Sequence, residues 1–207
     1  LCPMTVTFSR VYTWVSFVKF EHTLFSLPLL YAGAVIAAGA FPDLRTALWI
    51  LGGGTGARTA AMGLNRIIDR NIDARNSRTE DRELPRKTMN LAEAWGIVAA
   101  GLALYLFSCF MLSPFALSLS PVPLIVFVVY PYMKRFTSLA HFGVGTALAF
   151  APLSGFIAVT GSIADSAAVL WLAAFTLFWV AGFDIIYATL DIEFDRTEGL
   201  RSLPVWL

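Results

Sequence analysis

Charge is scarce in this chain. Asp, Glu, Lys and Arg make up 14% of its 207 residues, against about 25% in ordinary soluble domains. The shortage falls in blocks. Residues 23–42, 114–133, 142–164 and 166–183 contain no charged side chain, 91–112 contain only Glu93, and 44–64 contain only Arg45 at the edge and Arg58. Each block is close to the roughly 20 residues that a helix needs to cross a bilayer core. Six such blocks in one short chain exclude an ordinary soluble core. They predict an all-α polytopic membrane helix bundle, with residues 1–207 forming one domain and the lipid bilayer as its surroundings. Cysteine is scarce too. Cys2 and Cys109 lie far apart, without metal-ligand spacing, and Cys109 sits mid-block as an expected packing residue. The glycine run Gly52-Gly53-Gly54 with Gly56 has no following Gly-Lys-Ser/Thr, so it is not a phosphate loop. Close helix packing is its expected use. No signal-peptide pattern is evident near the start, and no nucleic-acid partner is expected.

The few charges present are unevenly spread. With the N-terminus inside, the inner segments hold thirteen of the fifteen basic residues, the exceptions being Arg45 and Arg58. The positive-inside rule therefore orients the bundle with its polar loops toward the cytoplasm, and a prokaryotic inner or cell membrane is its expected location. Residues 1–21 mix aromatics with Arg10 and Lys19 and read as an interfacial helix. Lys19, Glu21 and His22 are expected to be interfacial anchors.

The longest polar stretch runs from Asn65 to Pro85. Asn65, Asp69 and Asp73 follow one another at four-residue intervals. On a helix that stacks them on one face, one turn apart. Oxygen donors in a row suit a hard cation such as Mg²⁺, usually shared with phosphates. Arg66, Arg70, Arg75, Arg78 and Arg82 are interleaved, and arginine is the preferred partner of phosphate oxygens. Residues 66–90 are expected to form a long hydrophilic loop, a length that marks function or disorder. Arg58 stands seven residues before Asn65, within about 20° of its face. An arginine at membrane depth marks function by default, with a structural ion pair as the other reading.

A second acidic stripe closes the sixth block. Asp184, Tyr187, Asp191 and Asp195 fall within about 80° on one continuous helical wheel. Both stripes are followed by arginines and by an Arg-x-Leu-Pro tetrapeptide, Arg82–Pro85 and Arg201–Pro204. Lys134 and Arg135 close the fourth block, as surface anchors or as phosphate contacts. Two facing carboxylate ladders can hold Mg²⁺ against a diphosphate so that a bond to it ionises. A hydrocarbon-tailed substrate would place that chemistry in a membrane, where a carbocation can be kept from water.

These motifs resemble the UbiA family of intramembrane prenyltransferases. Asn65-x3-Asp69-x3-Asp73 with Arg78-Thr79-x2-Arg82-x-Leu84-Pro85 is similar to the family's first signature. Asp184-x2-Tyr187-Ala188-x2-Asp191-x3-Asp195-x3-Gly199-x-Arg201-Ser202 is similar to the second, and Tyr130–Arg135 to its basic loop. Arg66 departs from the pattern, where many members have Asp. The resemblance implies a nine-helix fold, of which about six helices would be present, with a C-terminal part missing. It implies that Asn65, Asp69 and Asp73 bind one Mg²⁺ and Asp191 and Asp195 another. Arg78, Arg82, Lys134 and Arg201 would bind the diphosphate, and Asp184 and Tyr187 would line the reacting region. The implied activity is Mg²⁺-dependent transfer from a polyprenyl diphosphate to an aromatic acid acceptor in quinone biosynthesis. Arg58 matches an arginine of the branch that prenylates 4-hydroxybenzoate, while the context Thr59–Asn65 also resembles menaquinone-pathway members.

Two other classes stay open on sequence. A CDP-alcohol phosphotransferase shares Ala57-Arg58 and Asp69-x3-Asp73 but requires an upstream Asp-x2-Asp-Gly. A transporter with repeated halves places acids at bundle centres rather than beside arginines at helix ends.

Overall fold

The computed structural model describes residues 3–19 and 23–207, and these form helices and turns only. Glu21 and His22, expected as anchors, and Cys2 lie outside the described residues. The chain runs α1 (Pro3–Phe17), α2 (Thr23–Ala38), α3 (Leu44–Asp73), α4 (Leu91–Leu112), α5 (Pro114–Leu119), α6 (Pro121–Met133), α7 (Ala140–Thr160), α8 (Ala167–Ala188), a 3₁₀ turn (Thr189–Asp191), α9 (Ile192–Glu198) and α10 (Leu203–Trp206).

The boundaries follow from local chemistry. The Asp43 carboxylate accepts from the Arg45 and Thr46 amides at 3.0 and 3.1 Å and starts α3. Asn90 and Glu93 form a reciprocal capping box at the start of α4. That cap explains the lone acid of the third charge-poor block. Glu93 also pairs with Arg10 at 2.8 Å, tying α1 to α4. Ser120 interrupts the fourth block, so residues expected as one helix become α5 and α6. Proline at the start of each lacks only an amide hydrogen that would be unpaired there anyway. Gly161, at φ +62°, ends α7 in the left-handed conformation that glycine adopts without a Cβ penalty.

Four helical segments are long and apolar enough to cross a membrane: Leu91–Leu112, Pro114–Met133, Ala140–Thr160 and Ala167–Glu198. Against the six blocks read from sequence, α2 is shorter, with its apolar part at Ser26–Ala38. Helix α3 has 30 residues but carries Arg58 and a polar end. Starting from Leu44, about 20 residues use up a bilayer core, so the last two turns of α3 project beyond it. The outer face of α8 is accordingly greasy, with Trp171 78%, Phe178 66% and Ile186 67% exposed. In water such a face would be an association hazard; in a bilayer it can meet lipid or another apolar helix.

Helices α3 and α4 pack together, and α7 packs between α2 and α8. Small residues permit the close approach expected from the sequence. A Cβ at Gly56 would stand 2.6 Å from the Tyr105 amide nitrogen of α4. A Cβ at Gly155 of α7 would fall on the Leu30 carbonyl of α2, and one at Gly33 on the Pro152 carbonyl of α7. Backbone cannot move aside as a flexible side chain can. Gly155→Ala is therefore expected to destabilise the bundle by about 1–3 kcal/mol, the usual range for overpacking. A thermal midpoint in detergent within 1 °C of the parent would refute this contact.

A cluster of Phe17, Leu64, Ile67, Met89, Val98 and Phe127 fills the polar end of the bundle. Within it Phe17 is fully buried, whereas Tyr12 of the same helix is 76% exposed. Helix α1 is thus docked by its C-terminal end, with aromatics left outside for an interface.

Candidate active site

Helix α3 continues through Asp73, seven residues past the point where a loop is expected. The Asn65, Asp69 and Asp73 ladder is consequently helical. The polar segment after it folds back as tight turns, with Thr79 donating to the Asp73 carbonyl at 3.0 Å. The second stripe differs from its expected form. Helix α8 stops at Ala188, and the 3₁₀ turn at Thr189–Asp191 separates Asp184 and Tyr187 from Asp195 on α9. The single helical wheel does not apply there, yet all four residues line the same space.

That space is a polar cavity of about 250 Å³ at the ends of α3, α6 and α8. Eleven of the twelve candidate residues line it: Asn65, Asp69, Asp73, Arg78, Arg82, Lys134, Asp184, Tyr187, Asp191, Asp195 and Arg201. The exception is Arg58. It lines a second, apolar cavity of about 270 Å³ between α2, α3, α4, α6 and α7, not the polar cavity as its helical face implied. Seven residues of helix separate it from Asn65 by about 10 Å along the axis, enough to place it in the deeper space. Tyr130 and Val144 line both cavities, so the two adjoin.

Within the polar cavity the acids are held by bases from distant segments. Lys134 Nζ lies 2.7 Å from Asp69 Oδ2, and Arg135 lies 3.5 Å from Asp69 Oδ1. Asn65 donates to Asp69 at 3.3 Å. Arg82 meets Asp73 at 2.7 Å. The two stripes are joined across the cavity, because Asn76 and Arg78 donate to the two oxygens of Asp191 at 3.1 and 2.9 Å. Arg75 pairs with Glu198 at 2.6 Å and repeats the link farther out. Arg201 donates through its backbone to the Lys134 carbonyl at 2.7 Å and through its guanidinium to the Phe136 carbonyl at 3.0 Å. Beyond the apolar run of α3, burial pushes the Asp69 carboxyl up, against the opposing pull of Lys134.

Sequence reasoning gave three residues no role here. Asn76 bridges the stripes, and Tyr130 sits where the cavities meet. His141, at the start of α7, is buried and bonded to Asp184 at 2.7 Å. No spacing rule marked His141, since its partner lies 43 residues away. Arg66 is the converse. It is buried outside the cavity, ion-paired with Glu83, and lies over the Phe17 ring at 5.7 Å. Its departure from the acidic pattern serves anchoring of the polar segment.

The donor set bears on a metal. Among the described residues, no three His, Cys, Asp or Glu side chains stand close enough to form a cage by themselves. The candidate donors are all oxygens, and buried Asp69 Oδ1 accepts no hydrogen bond. One or two carboxylates completed by phosphate oxygens is the coordination that Mg²⁺ adopts. The residues fit a Mg²⁺ that arrives with a diphosphate, and they do not fit a closed structural site.

Comparison with known proteins gives the same direction. The UbiA prenyltransferase family profile matches residues 26–207. A 4-hydroxybenzoate octaprenyltransferase of Shewanella woodyi is 30% identical over 177 residues, covering 83% of this chain and 59% of that protein. A 4-hydroxybenzoate solanesyltransferase of Synechocystis is 35% identical over 184 residues, covering 85% and 59%. The chain thus spans 59% of the length of these curated relatives. Among solved structures, the apo form of a UbiA homolog from Aeropyrum pernix superposes with a TM-score of 0.83 at 42% identity, over 90% of this chain and 70% of that one. A UbiA homolog from Archaeoglobus fulgidus bound to GPP and Mg²⁺ shares the fold, with a TM-score of 0.72 at 21% identity over 94% and 69%. The helical bundle, the paired acidic stripes and a profile match over most of the chain place this protein in the UbiA prenyltransferase family.

Proposed function

We propose that this protein transfers a polyprenyl group from a polyprenyl diphosphate to an aromatic acid, 4-hydroxybenzoate, in quinone biosynthesis, with its site facing the cytoplasm. The observation that carries this reading is the pair of adjoining cavities. One is polar, with two carboxylate stripes and four bases; the other is apolar with Arg58 in its wall. A diphosphate-headed, hydrocarbon-tailed donor fits the first with its head. An aromatic acid fits the second with its ring, provided its carboxylate meets a guanidinium. The relatives from Shewanella and Synechocystis are named for the 4-hydroxybenzoate acceptor.

When bound, one Mg²⁺ held by Asn65, Asp69 and Asp73 and another held by Asp191 and Asp195 would supply charge neutralisation of the diphosphate leaving group. The chain's own residues do the rest. Arg78, Arg82 and Lys134 now neutralise Asp191, Asp73 and Asp69. Diphosphate oxygens would draw these bases onto the substrate and release the carboxylates. Arg201 reaches the same cavity from the second stripe. The allylic carbon–oxygen bond then breaks, and the ring carbon ortho to the phenol attacks the allylic cation and loses its proton. The apolar walls exclude water from that cation. Asp184 and Tyr187 line the reacting region.

The test uses membranes carrying the protein, Mg²⁺, labelled 4-hydroxybenzoate and a polyprenyl diphosphate. Lipid-extractable label that EDTA abolishes is the expected result. Arg58→Ala is expected to raise the acceptor KM by about 10–100-fold, the loss of one or two charge-assisted hydrogen bonds, while the donor KM stays within twofold. Product only with a menaquinone-pathway acceptor would keep the transfer and discard the benzoate. No product with any acceptor would discard the activity.

A further inference from the structure

His141 is a buried polar side chain with two defined partners. Its imidazole is 5% exposed, and its Nδ1 lies 2.7 Å from Asp184 Oδ2. Its Nε2 faces the Leu203 amide nitrogen at 3.3 Å. An amide nitrogen can only donate, so Nε2 must be the bare acceptor nitrogen. The ring proton is then on Nδ1 and is donated to the Asp184 carboxylate. One side chain thus assigns its own tautomer from both sides.

The same ring joins three elements. His141 opens α7, Asp184 lies near the end of α8, and Leu203 opens α10 just after Arg201. Residues 201–203 are stitched to the α6–α7 connection by the Lys134 carbonyl, the Phe136 carbonyl and His141. Asp184 is 39% exposed on its side chain and lines the polar cavity. A carboxylate with that much room holds one rotamer only if something fixes it, and the imidazole takes one of its oxygens.

We propose that His141 is a positioning residue for the transfer reaction, fixing the Asp184 carboxylate at the reacting end of the cavity through an Nδ1–H hydrogen bond, with the Leu203 amide fixing the tautomer. This rests on the functional reading above. It predicts that the two nitrogens contribute separately. His141→Asn can place an amide donor near the Nδ1 position, while His141→Gln can place an acceptor near the Nε2 position and leaves Asp184 unheld.

The test measures kcat, donor KM and acceptor KM for His141→Asn, His141→Gln, His141→Ala, Asp184→Ala and the Ala double variant. Expected are a kcat for His141→Asn within threefold of the parent, a tenfold or larger kcat loss for Gln and Ala with donor KM within twofold, and a double variant no slower than Asp184→Ala. Nitrogen-15 spectra of histidine-labelled protein, whose two imidazoles are assigned with His22→Gln, should show a neutral ring protonated at Nδ1 that changes in Asp184→Ala. If the Ala variant fails to insert, the Asn–Gln comparison carries the same test. Equal losses for Asn and Gln, multiplicative losses in the double variant, an Ala variant within twofold of the parent, or an Nε2-protonated ring would each overturn the proposal. A parent protein that prenylates no acceptor would defeat the functional reading instead. The spectra still decide the His141–Asp184 contact in that case, because they need no turnover.

Discussion

Asp69→Ala is expected to reduce prenyl transfer by about 10³-fold, the scale seen when a group that stabilises developing charge is removed from a preorganised site. Asp69 is singled out by its surroundings. It is 3% exposed, it is the middle rung of the first ladder, and it holds Lys134 and Arg135 from the α6–α7 connection. Its removal takes away a carboxylate expected to face the metal and also unseats a base expected to hold the diphosphate. Asp69→Asn retains shape and an oxygen but not the charge, so a loss nearly as large is expected. Asp81→Ala is the matched control. Asp81 is 76% exposed on its side chain and pairs with exposed Arg86, a type of contact worth little. Turnover by Asp69→Ala within tenfold of the parent, in protein with a normal thermal midpoint, would sink the assignment of this ladder to the chemistry.

The second large effect is on stability. Arg66 is 4% exposed and ion-paired with Glu83, which is itself nearly buried. Removing one partner of such a pair leaves a desolvated charge alone and typically costs about 3–5 kcal/mol. Glu83→Ala is expected to fall in that range, read as a large drop in thermal midpoint. The Thr88 and Met89 amides both donate to the Glu83 carbonyl, so the Glu83 side chain anchors a residue at which the polar segment turns back to α4. Loosening it should raise the donor KM, because Arg78 and Arg82 ride on the same segment. Replacing both partners, as Arg66→Met with Glu83→Leu, should recover most of the lost stability, since two apolar groups leave no charge unpaired. A double variant no more stable than Glu83→Ala would show that something other than the buried charge sets the cost.

Much of this protein is legible along one dimension. Blocks without charge mark the helices because a bilayer penalises each charge, and that scarcity can be read residue by residue along the chain. The block at residues 91–112 coincides with α4. The four-residue spacing of Asn65, Asp69 and Asp73 is a statement about one helix, and a helix face is local geometry. Eleven of the twelve candidate residues lie in two short signatures and a basic loop, Arg58 being the exception.

Contacts between segments distant in sequence were not legible. The Arg78–Asp191 and Asn76–Asp191 bonds span more than 110 residues, and the His141–Asp184 bond joins two helices with no shared pattern. Arg58 and Asn65 share a helical face but open into different cavities, because the depth at which neighbouring helices part is a property of packing, not of periodicity. Arg66 read as one more arginine in a basic stretch. Only the burial of its side chain against Glu83 and Phe17 makes it an anchor. Local spacing determines which side chains share a helix face. Which faces meet depends on close backbone approaches such as those at Gly56 and Gly155, where one helix can only sit where its neighbour leaves room, and only the assembled fold brings each buried charge to its partner.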